Sequence, residues 1–348
     1  HGKTTTTSLV ATVLAKGGLD PTMVIGGKLN SLGGNAKLGQ GDFLVAEADE
    51  SDGSFLRLNP MVAVVTNIDR EHLDYYSDLT RVQHAFVQFI NRVPFYGFAV
   101  VCGDDPHIRE LFPQFEKRYF TYGLEGEVDY QGREIVATGL CTTFTAYRRR
   151  RRLGRITLRI PGRHNVCNAL AAIAVGYELE IDFPLIREAL AEFSGVQRRL
   201  QVKGEARGIL VVDDYGHHPT EIRATLEAAH LAWPDRRLVV VFQPHRYTRT
   251  QILWEEFAQT LREVTPLFLT EIYAAGEQPI PGVNARLIYE GIRRWNPQGV
   301  HFYSHRDDMV EALLHTTRKG DVVLTLGAGD IWKVGEALLR RLQMGSES

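Results

Sequence analysis

Between residues 209 and 326, five short apolar runs (209–212, 238–242, 267–270, 300–303 and 322–326) alternate with helical segments at 221–232, 251–264, 285–295 and 307–317. No other feature of the chain restricts its fold so strongly. A short uninterrupted apolar run, bounded by turn signals, fits a strand buried on both faces, and such strands separated by helices form a parallel sheet covered on two sides. The second half of the chain is therefore predicted to be a Rossmann-like, doubly wound domain. In such sheets ligands gather at the carboxyl ends of the strands, so the residues just after each run are the first candidates for chemistry.

The first half has the same texture, less regularly spaced. Residues 4–15 read as a helix, 43–46 and 62–65 as strands leading into acidic residues, 79–93 as a helix and 97–102 as a strand. Residues 128–160 change to short β-rich pieces containing Thr, Tyr and Arg, which predicts antiparallel strands beside the main sheet. Two helices, 165–179 and 184–193, follow. A boundary is expected near Ser194-Gly195, giving domains 1–194 and 195–348.

Composition mainly excludes. A chain of 348 residues can bury about two separate cores. Its net charge of -2 gives no overall attraction to nucleic acid or to a membrane surface. No apolar stretch approaches the roughly 20 residues of a membrane span, and no signal-peptide pattern opens the chain. Cys102, Cys141 and Cys167 lack metal-ligand spacing and read as reduced thiols of a cytoplasmic protein. The basic run Arg148 to Arg152 has no interleaved aromatics, so it reads as a solvated hairpin end and not as a nucleic-acid patch.

Four groups of residues could carry chemistry. Gly2-Lys3-Thr4-Thr5 opens the first helix, where backbone amides and the helix dipole favour phosphate. In a phosphate loop Lys3 reaches the β- and γ-phosphates and the Thr4 hydroxyl ligates Mg²⁺; the same tripeptide could also be only a lysine near a helix start. A phosphate loop needs an earlier glycine and a strand to aim it, so the chain is expected to be a fragment cut inside the motif, inactive or nearly so by itself. Glu47, Asp49, Glu50 and Asp52 follow the first strand, and Asp69, Glu71, His72 and Asp74 follow the second. Carboxylates behind a phosphate loop suit Mg²⁺, although acidic loops also cap helices. These features predict an α/β protein with a central P-loop-type ATPase domain: a mostly parallel sheet plus a small antiparallel β-insert, ahead of the Rossmann-like C-terminal domain.

Asn165 and Asn168 open a helix after Pro161-Gly162; they could cap it or read adenine, since each amide offers both donor and acceptor. In the second half, residues 213–220 (DDYGHHPT) and 243–249 (QPHRYTR) follow strands. Arg246 and Arg249 there suit bidentate bonds to carboxylate or phosphate. A zinc site made of His217, His218 and His245 is disfavoured, because no cysteine or ligand-spaced partner accompanies them.

Taken in order, HGKTTT, EADESD, TNI with His72-Leu73-Asp74, PGRHN, Asn168-Ala169, Arg198-Arg199, DYGHHPTE, QPHRYTR and Gly327-Ala328-Gly329-Asp330 resemble the Mur ligases nearly end to end. The resemblance implies a three-domain enzyme whose first domain binds a UDP-sugar, this chain holding the central ATPase and the C-terminal amino-acid-binding domains. It implies ATP-dependent joining of L-alanine to the lactyl carboxylate of UDP-N-acetylmuramate through an acyl phosphate, in peptidoglycan precursor synthesis. By residue, it implies that Gly2, Lys3, Thr4 and Thr5 bind phosphates, that Thr4, Glu47 and His72 serve Mg²⁺, and that Asn165 and Asn168 face adenine. It further implies that Arg199 lies near the phosphates, that Asp214 and Tyr215 complete the nucleotide site, and that His217, Arg246 and Arg249 engage the alanine and the reacting carboxylate. Domain closure about the Gly195 region is expected to assemble these groups. Several family members carry a carbamylated lysine about one helix after His72; no lysine lies between Lys37 and Lys117 here, in keeping with the alanine-adding branch. Two rival readings are a ligase that attaches an intact tripeptide to the same sugar nucleotide, and a nucleotide-binding module without ligation chemistry.

Overall fold

The computed structural model describes residues 1–27, 34–71 and 73–344. The chain divides into two compact units, His1–Gln197 and Arg198–Ser348.

The first unit runs α1 (Lys3–Lys16), β1 (Thr22–Val24), β2 (Ala36–Lys37), β3 (Leu44–Ala46), β4 (Val62–Val65), α2 (Leu73–Tyr76), α3 (Leu79–Asn91), β5 (Phe98–Cys102) and α4 (Pro106–Leu111). It continues with β6 (Tyr119–Gly123), β7 (Tyr130–Thr138), β8 (Cys141–Arg148), β9 (Arg151–Leu158), α5 (Arg163–Glu178) and α6 (Phe183–Glu192). A six-stranded sheet has the order β4-β5-β6-β7-β8-β9. Its first four strands are parallel and its last three are joined as antiparallel hairpins. The β-rich stretch is thus the far edge of the main sheet itself.

The two acid-ended strands belong to different sheets. β3 is the edge of a small sheet ordered β2-β1-β3, whereas β4 is the edge of the large one. A cavity of about 520 Å³, lined by β3, β4 and the apolar side chains of Leu14, Phe55, Phe86 and Phe89, adjoins both.

Packing explains why α5 lacks a polar face. Its Val166 and the run Ala169 to Val175 are almost wholly buried. The helix lies between α1 on one side and the sheet strands β5, β6 and β7 on the other. Small alanines let α1 and α5 approach closely, and the larger Leu170 and Ile173 each contribute roughly 1.5–3 kcal/mol by burial. The basic hairpin end is exposed at Arg149 to Arg152, as its sequence suggests, and Arg148 is held against the body of the unit. Arg148 stacks on Tyr177 and pairs with the buried carboxylate of Glu178, which also takes Arg118 and the Tyr130 hydroxyl.

The second unit comprises β10 (Gln201–Ala206), β11 (Ile209–Asp214), α7 (Pro219–Ala232), β12 (Leu238–Phe242), α8 (Tyr247–Leu261) and β13 (Leu267–Leu269). After these come α9 (Arg286–Arg293), β14 (Val300–Phe302), α10 (Arg306–Thr316), β15 (Val322–Leu326) and α11 (Trp332–Met344). Its sheet has the order β10-β11-β15-β12-β13-β14, with five parallel strands and an antiparallel β10 at one edge. Separate apolar clusters cover its two faces, as expected of a doubly wound sheet.

Candidate functional site

In the first unit the candidate residues gather around the start of α1. Gly2 precedes that helix with φ 76°, and no side chain caps the first turn. A Cβ at Gly2 would lie 2.8 Å from Asn168 Oδ1, so both backbone conformation and space demand glycine. Thr4 and Thr5 are buried in the first turn.

Lys3 Nζ lies 2.5 Å from Glu50 Oε2 and 3.5 Å from Asp49 Oδ1. Burial works against the ammonium charge, but Glu50, Asp49 and Glu47 outweigh it and hold the Lys3 pKa above its ordinary value. Thr4 Oγ1 donates to Glu47 Oε1 at 3.0 Å, while the Gly26 amide donates to Glu47 Oε2 at 2.8 Å. A hydroxyl beside a carboxylate is a donor set suited to a hard divalent cation. Behind β4, the Thr66 hydroxyl and the Asn67 amide both donate to the His1 carbonyl, at 2.6 and 2.9 Å. The ends of β3 and β4 therefore meet at one helix terminus although their sheets are separate. His72 lies outside the described residues.

Asn165 and Asn168 are buried and joined to each other. Asn168 Nδ2 donates to Asn165 Oδ1 at 3.1 Å, Asn165 Nδ2 donates to the Pro161 carbonyl at 2.7 Å, and the Thr6 hydroxyl donates to Asn168 Oδ1 at 3.1 Å. Neither side chain caps α5, whose N-cap is Gly162. Their amides tie the first turn of α5 to the first turn of α1. This leaves each Nδ2 one further hydrogen to donate.

The second unit places its candidates at the carboxyl ends of β11, β12 and β15. Asp214 ends β11 and accepts from the amides of Leu200 and Gly216 and from the Thr225 hydroxyl, at 2.8, 2.8 and 3.0 Å. Burial raises its pKa against the opposing charge of Arg199 and those amides. The carboxyl thus shapes the loop after β11. Tyr215, half-buried, projects from that loop with the guanidiniums of Arg198 and Arg199 centred 5.0 and 5.4 Å from its ring. Arg199 also approaches Glu221 at 3.9 Å.

Two imidazoles stand with ring centroids 5.5 Å apart. His217 Nδ1 lies 3.0 Å from the Tyr215 carbonyl, which can only accept, so the proton sits on Nδ1. His245 Nδ1 accepts from Arg249 Nη1 at 3.2 Å, so a neutral His245 carries its proton on Nε2. Burial, then His217, Arg249 and Arg246, push the His245 pKa down to about 3. Its ring stacks on Tyr273 at 5.6 Å. Residues 243–249 are only partly loop: Arg246 caps α8 with φ 70°, and Arg249 lies in the first turn of that helix, which starts earlier than its apolar pattern suggests.

Sequence reading left Arg198, Asp213, Gln243, His245 and Tyr273 without roles. Gln243 donates to Asp330 Oδ1 at 3.3 Å and accepts from its amide at 3.1 Å, joining the ends of β12 and β15. Such contacts span 87 residues of chain and leave no local signal. Asp213, Gln243 and His245 fall inside the strand-end segments 213–220 and 243–249, and Arg198 adjoins Arg199, but none of these positions indicates a role by itself.

Two α/β units with polar groups at their strand ends, one opening a helix with Gly-Lys-Thr beside carboxylates, have the fold of an α/β enzyme. Residues 1–176 match the Mur ligase middle domain, and residues 198–329 match the domain described as Mur ligase, glutamate ligase domain. The chain belongs to the Mur ligase family, whose members are ATP-dependent amide-forming ligases. It is 57% identical over 343 residues to the UDP-N-acetylmuramate–L-alanine ligase of Trichlorobacter lovleyi, covering 98% of this chain and 75% of that one. Among solved structures, the UDP-N-acetylmuramate-alanine ligase of Thermotoga maritima superposes with TM-score 0.82 at 30% identity, covering 99% of this chain and 74% of that one. A murein peptide ligase from Psychrobacter arcticus gives TM-score 0.71 at 25% identity, over 98% and 75%. Among the described residues no helix is long and apolar enough to cross a membrane.

Proposed function

We propose that this protein joins L-alanine to the lactyl carboxylate of UDP-N-acetylmuramate, with ATP as the driving substrate. The placing of Lys3, Thr4 and Glu47 at the start of α1 carries this reading, supported by the 57% identity to a ligase of that name. The first unit is assigned as the ATP-binding domain and the second as the amino-acid-binding domain.

In the proposed reaction the sugar carboxylate attacks the γ-phosphate of ATP, giving an acyl phosphate and ADP. The alanine amine then attacks the acyl carbon and phosphate leaves. Lys3 neutralises charge on the β- and γ-phosphates, and Asn165 and Asn168 turn their remaining amide hydrogens to the adenine. Thr4 and Glu47, with His72 as the third ligand the family pattern implies, would hold Mg²⁺, which when bound would supply charge stabilisation for phosphoryl transfer. Tyr215 and Arg199 border the nucleotide. Arg246 and Arg249 bind carboxylate, and His217, protonated on Nδ1, offers Nε2 to the attacking amine.

The test supplies the full-length enzyme with ATP, UDP-N-acetylmuramate and either L-alanine or the tripeptide, and follows phosphate release. Release driven by L-alanine supports the reading. Release driven only by tripeptide replaces it with the peptide-adding activity named for the Psychrobacter arcticus protein, and nucleotide binding indifferent to both acceptors leaves a binding module.

A further inference from the structure

Arg198 is hydrogen-bonded to Asp213 and to the carbonyls of the 327–329 loop and lies over Tyr215, yet the proposed chemistry leaves it with nothing to do. It stands at φ 58°, a left-handed conformation unfavourable for a non-glycine residue, so its surroundings must hold it there. Nε donates to Asp213 Oδ2 at 2.8 Å. Nη2 donates to the Gly327 carbonyl at 2.6 Å, and Nη1 donates to the Gly329 carbonyl at 3.1 Å, with Ala328 O at 3.4 Å. The Arg198 carbonyl accepts the Tyr215 amide at 2.7 Å, and the guanidinium plane lies over the Tyr215 ring at 5.0 Å. The carboxylate of Asp213 is almost wholly buried, and its other oxygen accepts from the Thr325 hydroxyl at 2.7 Å.

β11 and β15 are adjacent parallel strands in this sheet, and their carboxyl ends are where a doubly wound fold binds ligands. Arg198 therefore fastens two ligand-facing loops to each other, fixing the Tyr215 backbone and ring on one side and turning the carbonyls of residues 327–329 inward on the other. We propose that Arg198 is a positioning residue: through Tyr215 and the 327–329 loop it sets the geometry of the nucleotide edge of the second unit. It touches no substrate. The proposal rests on the assignment of Tyr215 to the nucleotide site. Only a planar fork can serve a carboxylate and several carbonyls at once, so lysine does not substitute for it.

The test uses alanine-dependent phosphate release by the full-length enzyme. Arg198→Lys, and Arg198→Ala combined with Asp213→Asn so that no buried carboxylate is stranded, are compared with Tyr215→Ala. All three are expected to raise the KM for ATP about tenfold or more, with the KM for L-alanine moved much less. Guanidinium ion, but not methylammonium, is expected to restore the KM of the single variant Arg198→Ala, in which the Asp213 carboxylate and the 327–329 carbonyls remain to bind it. Loss of active fraction at unchanged KM for ATP would mean that Arg198 only stabilises the fold, and would overturn the proposal. If Tyr215→Ala raises that KM and neither Arg198 variant does, Arg198 is wrongly assigned while the nucleotide reading stands. If Tyr215→Ala leaves it unchanged, the nucleotide reading fails and the proposal with it.

Discussion

Thr4 Oγ1 lies 3.0 Å from Glu47 Oε1, a helix-opening hydroxyl bonded to the carboxylate that follows β3, 43 residues further along the chain. The Gly26 amide fixes the second oxygen of the same carboxylate, so its orientation is set from both sides. A Glu47→Gln substitution keeps the shape and removes the charge. It is expected to raise the Mg²⁺ concentration needed for half-maximal phosphate release roughly tenfold or more, with little change in thermal stability. A Mg²⁺ titration at saturating ATP checks this, and an unchanged midpoint would remove Glu47 from the metal set.

Lys3 is held by Glu50 and Asp49, whose charges raise its pKa above the ordinary lysine value. Lys3→Ala is expected to lower kcat for phosphate release by about two to three orders of magnitude, as loss of one preorganised electrostatic partner does. It also leaves Glu50 without its nearest cation, so folding is to be followed in parallel by circular dichroism. A folded variant that releases phosphate at the parental rate would refute the phosphate-loop reading.

The fold was most legible where strands are buried on both faces, because there the sequence must be continuously apolar, as at Phe98–Cys102 and Leu238–Phe242. It was least legible at edges. β2 is two exposed residues, and β10 carries Lys203 and Glu205 on an antiparallel edge, so neither has an apolar signature. Nor could strand spacing reveal that β3 and β4 lie in different sheets, since pairing partners are chosen by tertiary packing. At the site, Lys3 was visible because Gly-Lys-Thr opens a helix, and Glu47 and Arg246 because charged residues follow apolar strands there. Arg198 was not, since its partners Asp213 and Gly327 lie 15 and 129 residues away.

Gly2 illustrates a stability cost that local rules only half anticipate. Its positive φ opposes any side chain, and so does Asn168 Oδ1, which lies 2.8 Å from where a β-carbon would stand. Gly2→Ala is expected to destabilise the first unit by about 1–3 kcal/mol, measured by urea denaturation. Adding Asn168→Ala removes the steric part and leaves the backbone part, so the double variant should lose less than the sum of the single losses. Strict additivity would show that Asn168 does not press on the loop.

His245 gives the second unit a pH dependence of definite sign. Its folded pKa, about 3, lies below the ordinary histidine value of 6.5, because burial and the neighbouring His217, Arg249 and Arg246 all oppose a positive charge. The unfolded chain therefore binds a proton between these values that the folded chain refuses, and stability falls as pH drops from about 6.5 toward 3. One proton corresponds to at most about 1.4 kcal/mol per pH unit, and the partial exposure of the ring makes the realised slope smaller. Above pH 7 the group is neutral in both states and contributes no slope. His245→Gln keeps a hydrogen-bonding side chain without a proton to gain, so its urea midpoints between pH 4 and 7 should fall less steeply than those of the parent. Equal slopes in the two proteins would mean that His245 takes up its proton in the folded state, and that the guanidiniums of Arg246 and Arg249 do not hold it neutral.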